Sequence, residues 1–481
     1  MTDHTTPGAD PGAAGATVVD VAPPPTTPTK ADGALPRAFS LRFSTRGISL
    51  AVDVIVMMQL TFYATDIVGL PAALVGGIFL AAKLFDGFTD LFVGFVIDRT
   101  KSRWGKARPY ELFIIPAWLL TVAIFSTPDM DTFWQAAYLF VMYALIQSVC
   151  HTVLNGSEGV YLKRSLKGEV RYAKVLARQG VFIILVAGVA SVILPMLMAT
   201  WGTEPGGWTR IALVYAVPMM ILGLVRFFTV KELPEDEVDA ATEQRVSVKD
   251  ALKALVRNKY IFIIAAMVLL SNIIANMNTI VGAYFFKYVL GDLALLSIVA
   301  LAGLIMPVIY LLFPLAVRTI GAVNFLRVGL ALAMVGFALV AFFPTSLVAV
   351  AAGQLLGSFT SIVTLLVGFF VIQAMRYGEW KTGRRIDAVT NSVTSFTSKI
   401  GSGLASAGVG LMMGIVGYNG LAASQTAEAE GMIVGLYSWV PFVLTAGMLA
   451  ISFTYKLDRH TGAIETDLAA GIHADTSELK L

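Results

Sequence analysis

The chain has 481 residues, 57% of them hydrophobic and only 14% charged, where a soluble domain carries about 25% charged residues. That much apolar surface excludes an ordinary soluble protein and points to lipid as its solvent. A formal net charge of +3 gives no reason to expect nucleic acid as a partner, and a lone cysteine, Cys150, excludes an internal disulfide framework.

Residues 1–37 are rich in Pro, Ala, Gly and Thr and read as a disordered cytoplasmic tail. They lack a positive segment followed by an apolar core, so a cleaved signal peptide is not expected. Apolar runs able to span a hydrocarbon layer of about 30 Å follow near 46–66, 75–97, 110–127, 132–161, 175–200 and 208–229. A polar connector occupies 231–259, and further runs lie near 260–289, 293–316, 323–343, 346–375, 389–416 and 431–455. Residues 456–481 read as a second loose cytoplasmic tail. The expected fold is all-α and membrane-embedded: about twelve transmembrane helices, as one six-helix bundle over 38–230, a cytoplasmic linker over 231–259 and a second six-helix bundle over 260–455.

Charge in the loops orients these runs. Arg99, Lys101, Arg103, Lys106 and Arg108 follow the second run, and Lys163, Arg164, Lys167, Arg171 and Lys174 follow the fourth. The alternate loops carry acids instead, such as Asp66, Asp129, Asp131, Glu204 and Asp292. By the positive-inside rule the basic loops and both termini are cytoplasmic, which predicts a multi-pass protein of the cell membrane with lipid as its surroundings.

Inside the runs, charge is scarce and therefore informative. Asp86 and Asp90, one helical turn apart with Lys83 one turn earlier, form one stripe. Each carboxylate costs about 2.5–3.5 kcal/mol in a membrane even on the lenient insertion scale. Two together share a proton or bind a cation; a static ion-paired cluster is the plainer alternative. Lys399, within SVTSFTSKIGSGLASAGVG, needs a carboxylate partner unless it lies near enough to an end to snorkel. Asp53 is a third intramembrane acid, open to roles as solute acceptor, cation ligand or packing residue. Asn272, Asn276 and Thr279 fall on one helical face, suiting a hydroxyl-rich solute or helix packing. Gln147, His151 and Asn155 make a similar stripe, and His151 is the one histidine inside an apolar run. Arg99, Arg103 and Arg108 read either as topogenic charge or as a cytoplasmic gate that grips acids and helix C-termini. With no zinc-ligand spacing, phosphate loop or nucleophile elbow in the sequence, neither an enzyme nor a cofactor is expected.

Two long stretches carry a family resemblance. KLFDGFTDLFVGFVIDRTKSRWGKARP, preceded by TDIVGL, and RYGEWKTGRRIDAVTNSVTSFTSKIGSG, followed by Gly417–Tyr418, closely resemble the glycoside–pentoside–hexuronide:cation symporters of the major facilitator superfamily, typified by the melibiose permease. The resemblance spans about residues 38–455 and implies two six-helix halves around a central cavity that opens to one side at a time. It implies that Asp86 and Asp90 take the coupling ion, Na+ or H+ (with Na+ as their metal if sodium is used), while Lys83 and Lys399 balance their charge. It matches Arg178 to an arginine near the sugar. Other positions depart: the family's sugar-binding aspartate on the first helix falls near Ser49 or Leu50, its acid on the fourth near His151 or Thr152, and an aromatic on the tenth near Thr364. Galactosides become doubtful as solutes, and an anionic glycoside held by Arg178 is expected.

The function so implied is cation-coupled uptake of a sugar, glycoside or uronide-like solute, with Asp53, His151, Arg178, Asn276 and Thr364 lining its path. A proton-driven exporter of amphipathic compounds and a non-transporting membrane sensor are the alternatives, and a monomer is the expected state.

Overall fold

The computed structural model describes residues 35–36, 38–100, 102–233, 258–303, 313–383, 387–422 and 424–474. Most of the expected N-terminal tail, linker residues 234–257 and the last residues, 475–481, lie outside that set. The expected apolar runs are helical over most of their described residues, with a break at Met58–Gln59 and non-helical residues at some run ends, as suits a setting where lipid offers no partner to a backbone N–H or C=O.

The first half contains α1 (Phe39–Met57, resuming after a break at Met58–Gln59 as Leu60–Asp66), α2 (Ala72–Arg99), α3 (Ile114–Ile124, entered through a 3-10 turn at Arg108–Phe113), α4 (Thr132–Ser165), α5 (Glu169–Trp201) and α6 (Gly207–Thr229). The second half contains α7 (Lys259–Val289), α8 (Leu296–Gly303), α9 (Phe313–Ile320), α10 (Ala322–Phe342), α11 (Leu347–Thr382), α12 (Asp387–Ile415) and α13 (Ala427–Val434, carried on through Gly435–Trp439 into Val440–Thr454). Residues 304–312, inside the expected run 293–316, lie outside the described set. Eight of the described helical segments are long and apolar enough, by length and composition alone, to cross a membrane.

Large apolar side chains point outward all along these helices, among them Phe88, Phe92 and Phe95 on α2 and Phe133 and Trp134 on α4. In water such a surface would aggregate; against lipid tails it is the ordinary exterior. Inside, one apolar core joins the halves through Phe62, Tyr284, Phe285, Tyr418 and Tyr437. A separate core around Tyr260, Phe337, Phe370 and Tyr377 belongs to the second half.

Between the halves, α2 packs closely against α12. A Cβ on Gly76 would come within 2.7 Å of the Ser406 carbonyl oxygen, and one on Gly410 within 2.4 Å of the Ala72 carbonyl oxygen. Only glycine lets the two backbones touch in this way, the small-residue packing that membrane helices favour.

One expectation is corrected here. Beyond Tyr455 the chain is not a loose tail: Leu457–Arg459 forms a turn and Thr461–Ala469 a helix, α14. It is tied to α11 by Gln373 Nε2 donating to Asp458 at 3.0 Å, by Trp380 Nε1 donating to Asp467 at 3.0 Å, and by an Arg376–Glu465 ion pair. A polar sequence is helical here because its few apolar residues, Leu457, Ile464 and Leu468, all pack into the second core.

Candidate cation and solute site

Asp86 and Asp90 stand one turn apart on α2, facing α12. Lys399 Nζ of α12 lies 2.9 Å from Asp86 Oδ2 and 2.5 Å from Asp90 Oδ2. The expected carboxylate partner of Lys399 is therefore this pair, and the contact ties one half to the other. Asp86 is buried, whereas Asp90 keeps an exposed edge. On the far side of the carboxylates, Thr152 Oγ1 of α4 is 3.0 Å from Asp86 Oδ1 and 3.0 Å from Asp90 Oδ1, and also near the Gln147 carbonyl at 3.2 Å. A hydroxyl has a single proton to donate. Three converging oxygens with one proton among them favour a further proton or a small hard cation.

A local departure from the α-helix puts Thr152 there. Leu145–His151 of α4 is a π-helical turn, which shifts every later residue around the axis. Gln147, His151 and Asn155, one stripe on a regular helix, consequently separate. Gln147 lines a cavity, Asn155 is exposed, and His151 turns toward α1. There His151 Nε2 meets Asp53 Oδ2 at 2.6 Å, and Thr121 Oγ1 of α3 donates to Asp53 Oδ1 at 2.7 Å. Asp53 and His151 are 0% and 4% exposed. Both are expected from the sequence along the solute path; here they form a closed polar unit and line neither cavity between the halves.

The cavity itself lies between the halves, with a volume of about 120 Å³. Its polar groups include Lys83, Tyr143, Gln147, Asn276, Ser402 and Ser406. A second, larger cavity of about 270 Å³ adjoins it, sharing Met58 and Thr279. Asn276 lines the cavity, while Asn272 packs against α12, its amide donating to the Val268 carbonyl at 2.9 Å and to Ser398 at 3.3 Å. The stripe thus divides, Asn276 and Thr279 facing a cavity and Asn272 packing between helices. Arg178 on α5 and Thr364 on α11 are exposed, and neither lines these two cavities.

Two clusters that the sequence reading did not single out flank the site. Where α1 ends, Asp66 accepts from Lys287 Nζ at 2.6 Å, Tyr288 Oη at 2.7 Å and Tyr418 Oη at 2.6 Å. Its neighbour Thr65 shares a hydrogen bond with Tyr284 at 2.8 Å. The carboxylate, buried and taken from one half, is gripped by three donors of the other, which closes that end of the molecule. At the opposite end and within the first half, Arg226 donates to both oxygens of Glu111 at 2.5 and 2.7 Å and to Glu158 at 2.7 Å. Arg46 pairs with Glu158 as well. Only position in space joins these residues, so no sequence spacing announces them.

The basic run after α2 is anchored rather than free. The Glu232 carboxylate accepts from the backbone N–H groups of Lys106, Ala107 and Arg108 at 3.0, 2.7 and 2.7 Å and from Arg164 Nε at 2.7 Å. Arg108 Nε donates to the Phe227 carbonyl in the last turn of α6 at 2.8 Å. Of the three expected gate arginines, Arg108 thus grips a helix C-terminus, Arg103 stacks on Trp104, and Arg99 is exposed.

A family model described as MFS/sugar transport protein matches residues 48–459 of the chain. The chain is 29% identical over 422 residues to the isoprimeverose transporter of Lactiplantibacillus pentosus, a match covering 86% of this chain and 87% of that one. It is 27% identical over 409 residues to the glucuronide carrier protein homolog of Escherichia coli (strain K12), covering 81% and 85%. Among solved structures, a mutant of the nucleoside transporter NupG matches with a TM-score of 0.64 at 14% identity, over 86% of this chain and 99% of that one, a likeness of fold.

Proposed function

Because the chain belongs to the MFS/sugar transport protein family, and is a membrane transporter rather than an enzyme, we propose that it carries a sugar-like solute by symport with Na+ or H+, through alternating access. The observation that carries this reading is the Lys399–Asp86–Asp90–Thr152 cluster, built from both halves. Its two carboxylates sit between a lysine that can leave and a hydroxyl that cannot neutralise them.

In the solute-free carrier Lys399 supplies the positive charge. A coupling ion arriving at Asp86, Asp90 and Thr152 takes over that role and weakens the hold of Lys399 on α2. The tie between α2 and α12 is then loosened where the halves must rock. The Asp66 grip at one end supports a cycle in which that end opens only after three donors let go. Family relatives named for isoprimeverose and for glucuronides support a sugar or sugar acid as the solute.

The test is uptake of labelled glycosides into proteoliposomes under imposed gradients. Accumulation above the outside concentration is expected with an inward Na+ or H+ gradient and is expected to collapse when a monensin-type or protonophore carrier dissipates it. Accumulation that ignores both gradients would overturn the coupling.

A further inference from the structure

We infer that Lys83 is the solute's anion receptor, and hence that the solute is a sugar bearing a carboxylate or sulfonate; this deepens the sugar-transport reading and rests on it. Of the described residues that line the central cavity, Lys83 alone carries a charge. Its ammonium lies 5.6 Å from the centre of the Tyr143 ring and, among the described residues, has no carboxylate within ion-pair distance. The two acids nearest in sequence are committed elsewhere: Asp86 and Asp90 bind Lys399 and Thr152.

An ammonium facing a low-dielectric cavity with no paired acid is retained at a cost, and the chemistry that relieves it is an anion. The surroundings describe the remainder of that anion. Gln147, Asn276, Thr279, Ser402 and Ser406 offer amides and hydroxyls suited to ring hydroxyls, while Phe79 and Tyr143, with ring centres 4.9 Å apart, offer an apolar face. A hydroxyl-rich ring with one acidic substituent satisfies both.

Charge counting points the same way. Lys83 and Lys399 against Asp86 and Asp90 sum to zero; a monovalent coupling ion adds one positive charge. A neutral sugar leaves that charge uncompensated in the cavity, whereas a carboxylate or sulfonate cancels it. Arg178, expected from the sequence to hold the anion, is exposed on α5 and lines neither cavity. Lys83, expected only to balance the acids, takes that part instead.

The test is binding of matched pairs to the purified full-length protein by calorimetry: methyl glucuronide against methyl glucoside, methyl galacturonide against methyl galactoside, and a 6-sulfonated methyl glucoside as a third arm. In the wild type at least one anionic member is expected to bind tenfold or more tighter than its neutral partner, as a charge-assisted bond allows. The Lys83→Gln variant is expected to bring the ratio within about threefold of one, and Lys83→Arg to keep the preference. Neutral members binding equally or better, or an undiminished ratio in Lys83→Gln, overturns the inference. Binding by neither member of any pair overturns it together with the sugar reading. The expected preference without ion-driven accumulation in proteoliposomes upholds the receptor and overturns the symport alone. The carboxylate and sulfonate arms show which acid the receptor prefers.

Discussion

Thr152 carries an unusual load for one hydroxyl, because two carboxylates and a backbone carbonyl compete for its proton. Removing it leaves Asp86 and Asp90 one oxygen short toward any bound ion. A hydrogen bond to a charged group contributes about 1.5–3 kcal/mol, so Thr152→Ala is expected to raise the ion concentration for half-maximal uptake roughly tenfold or more, with Thr152→Ser close to wild type. A titration of uptake against Na+ and against pH checks this. The acids themselves test the cluster more severely. Asp86→Asn with Asp90→Asn removes the charges that the ion and Lys399 neutralise, so gradient-driven accumulation is expected to vanish while exchange of solute down its own gradient survives. Uphill uptake persisting in that double variant would show that the coupling ion binds elsewhere. Asp53 and His151 call for a different expectation: closed off from both cavities and bonded to each other, they hold α1 to α4. Asp53→Ala leaves the His151 ring and the Thr121 hydroxyl buried without partners. That is expected to lower the thermal midpoint measurably, the buried-pair penalty being about 3–5 kcal/mol.

Helices were legible in the sequence wherever one rule sufficed, and illegible where a local deviation or a distant partner decided. Run length and apolarity located the helical segments, since lipid leaves the backbone no alternative, and the two aspartates announced themselves by their cost. The helix that misled was α4: a stripe drawn at regular spacing through Gln147, His151 and Asn155 is broken by the π-turn at Leu145–His151, which hands Thr152 to the cation cluster and His151 to Asp53. Nor could spacing reveal Asp66, whose three partners lie more than 200 residues away. Its sequence signature was an acid in a loop. Two predictions belong to this scale. Asp66→Asn keeps the shape but removes the charge gripped by Lys287, Tyr288 and Tyr418, which destabilises the state with that end closed. Spin labels on the ends of α1 and α7 are expected to show a longer-distance population rising from the wild-type fraction, the direction in which a destabilised closed state shifts. Gly410→Val acts on the same end sterically: its side chain would overlap the Ala72 carbonyl, from which even a Cβ stands at 2.4 Å. Overpacking of about 1–3 kcal/mol against the α2–α12 contact is expected to lower transport rate, with binding retained.

At the scale of the molecule, the proposed rocking asks for halves that are each held together and a contact between them that can part. The first half is fastened internally by the Arg46–Glu158–Arg226–Glu111 network and by Glu232, which gathers the basic run after α2 and Arg164 of α4 onto one carboxylate. The second is fastened by α14 lying on α11. Among the described residues, polar ties between the halves include the Asp66 grip at one end and Lys399 on the acids of α2 in the middle. Such a division is what rigid-body rocking requires. The internally fastened end carries the basic loops, so by the positive-inside rule it is the end expected to face the cell interior. The buried Cys150 is the chain's lone thiol, which makes the orientation directly measurable. A cysteine placed at Asp129, in the acidic loop between α3 and α4, is expected to react with an impermeant maleimide on intact cells. One at Lys163, in the basic loop between α4 and α5, is expected to react only after the membrane is opened. Reversed labelling would invert the molecule. It would also turn the end gripped by Asp66 toward the cytoplasm.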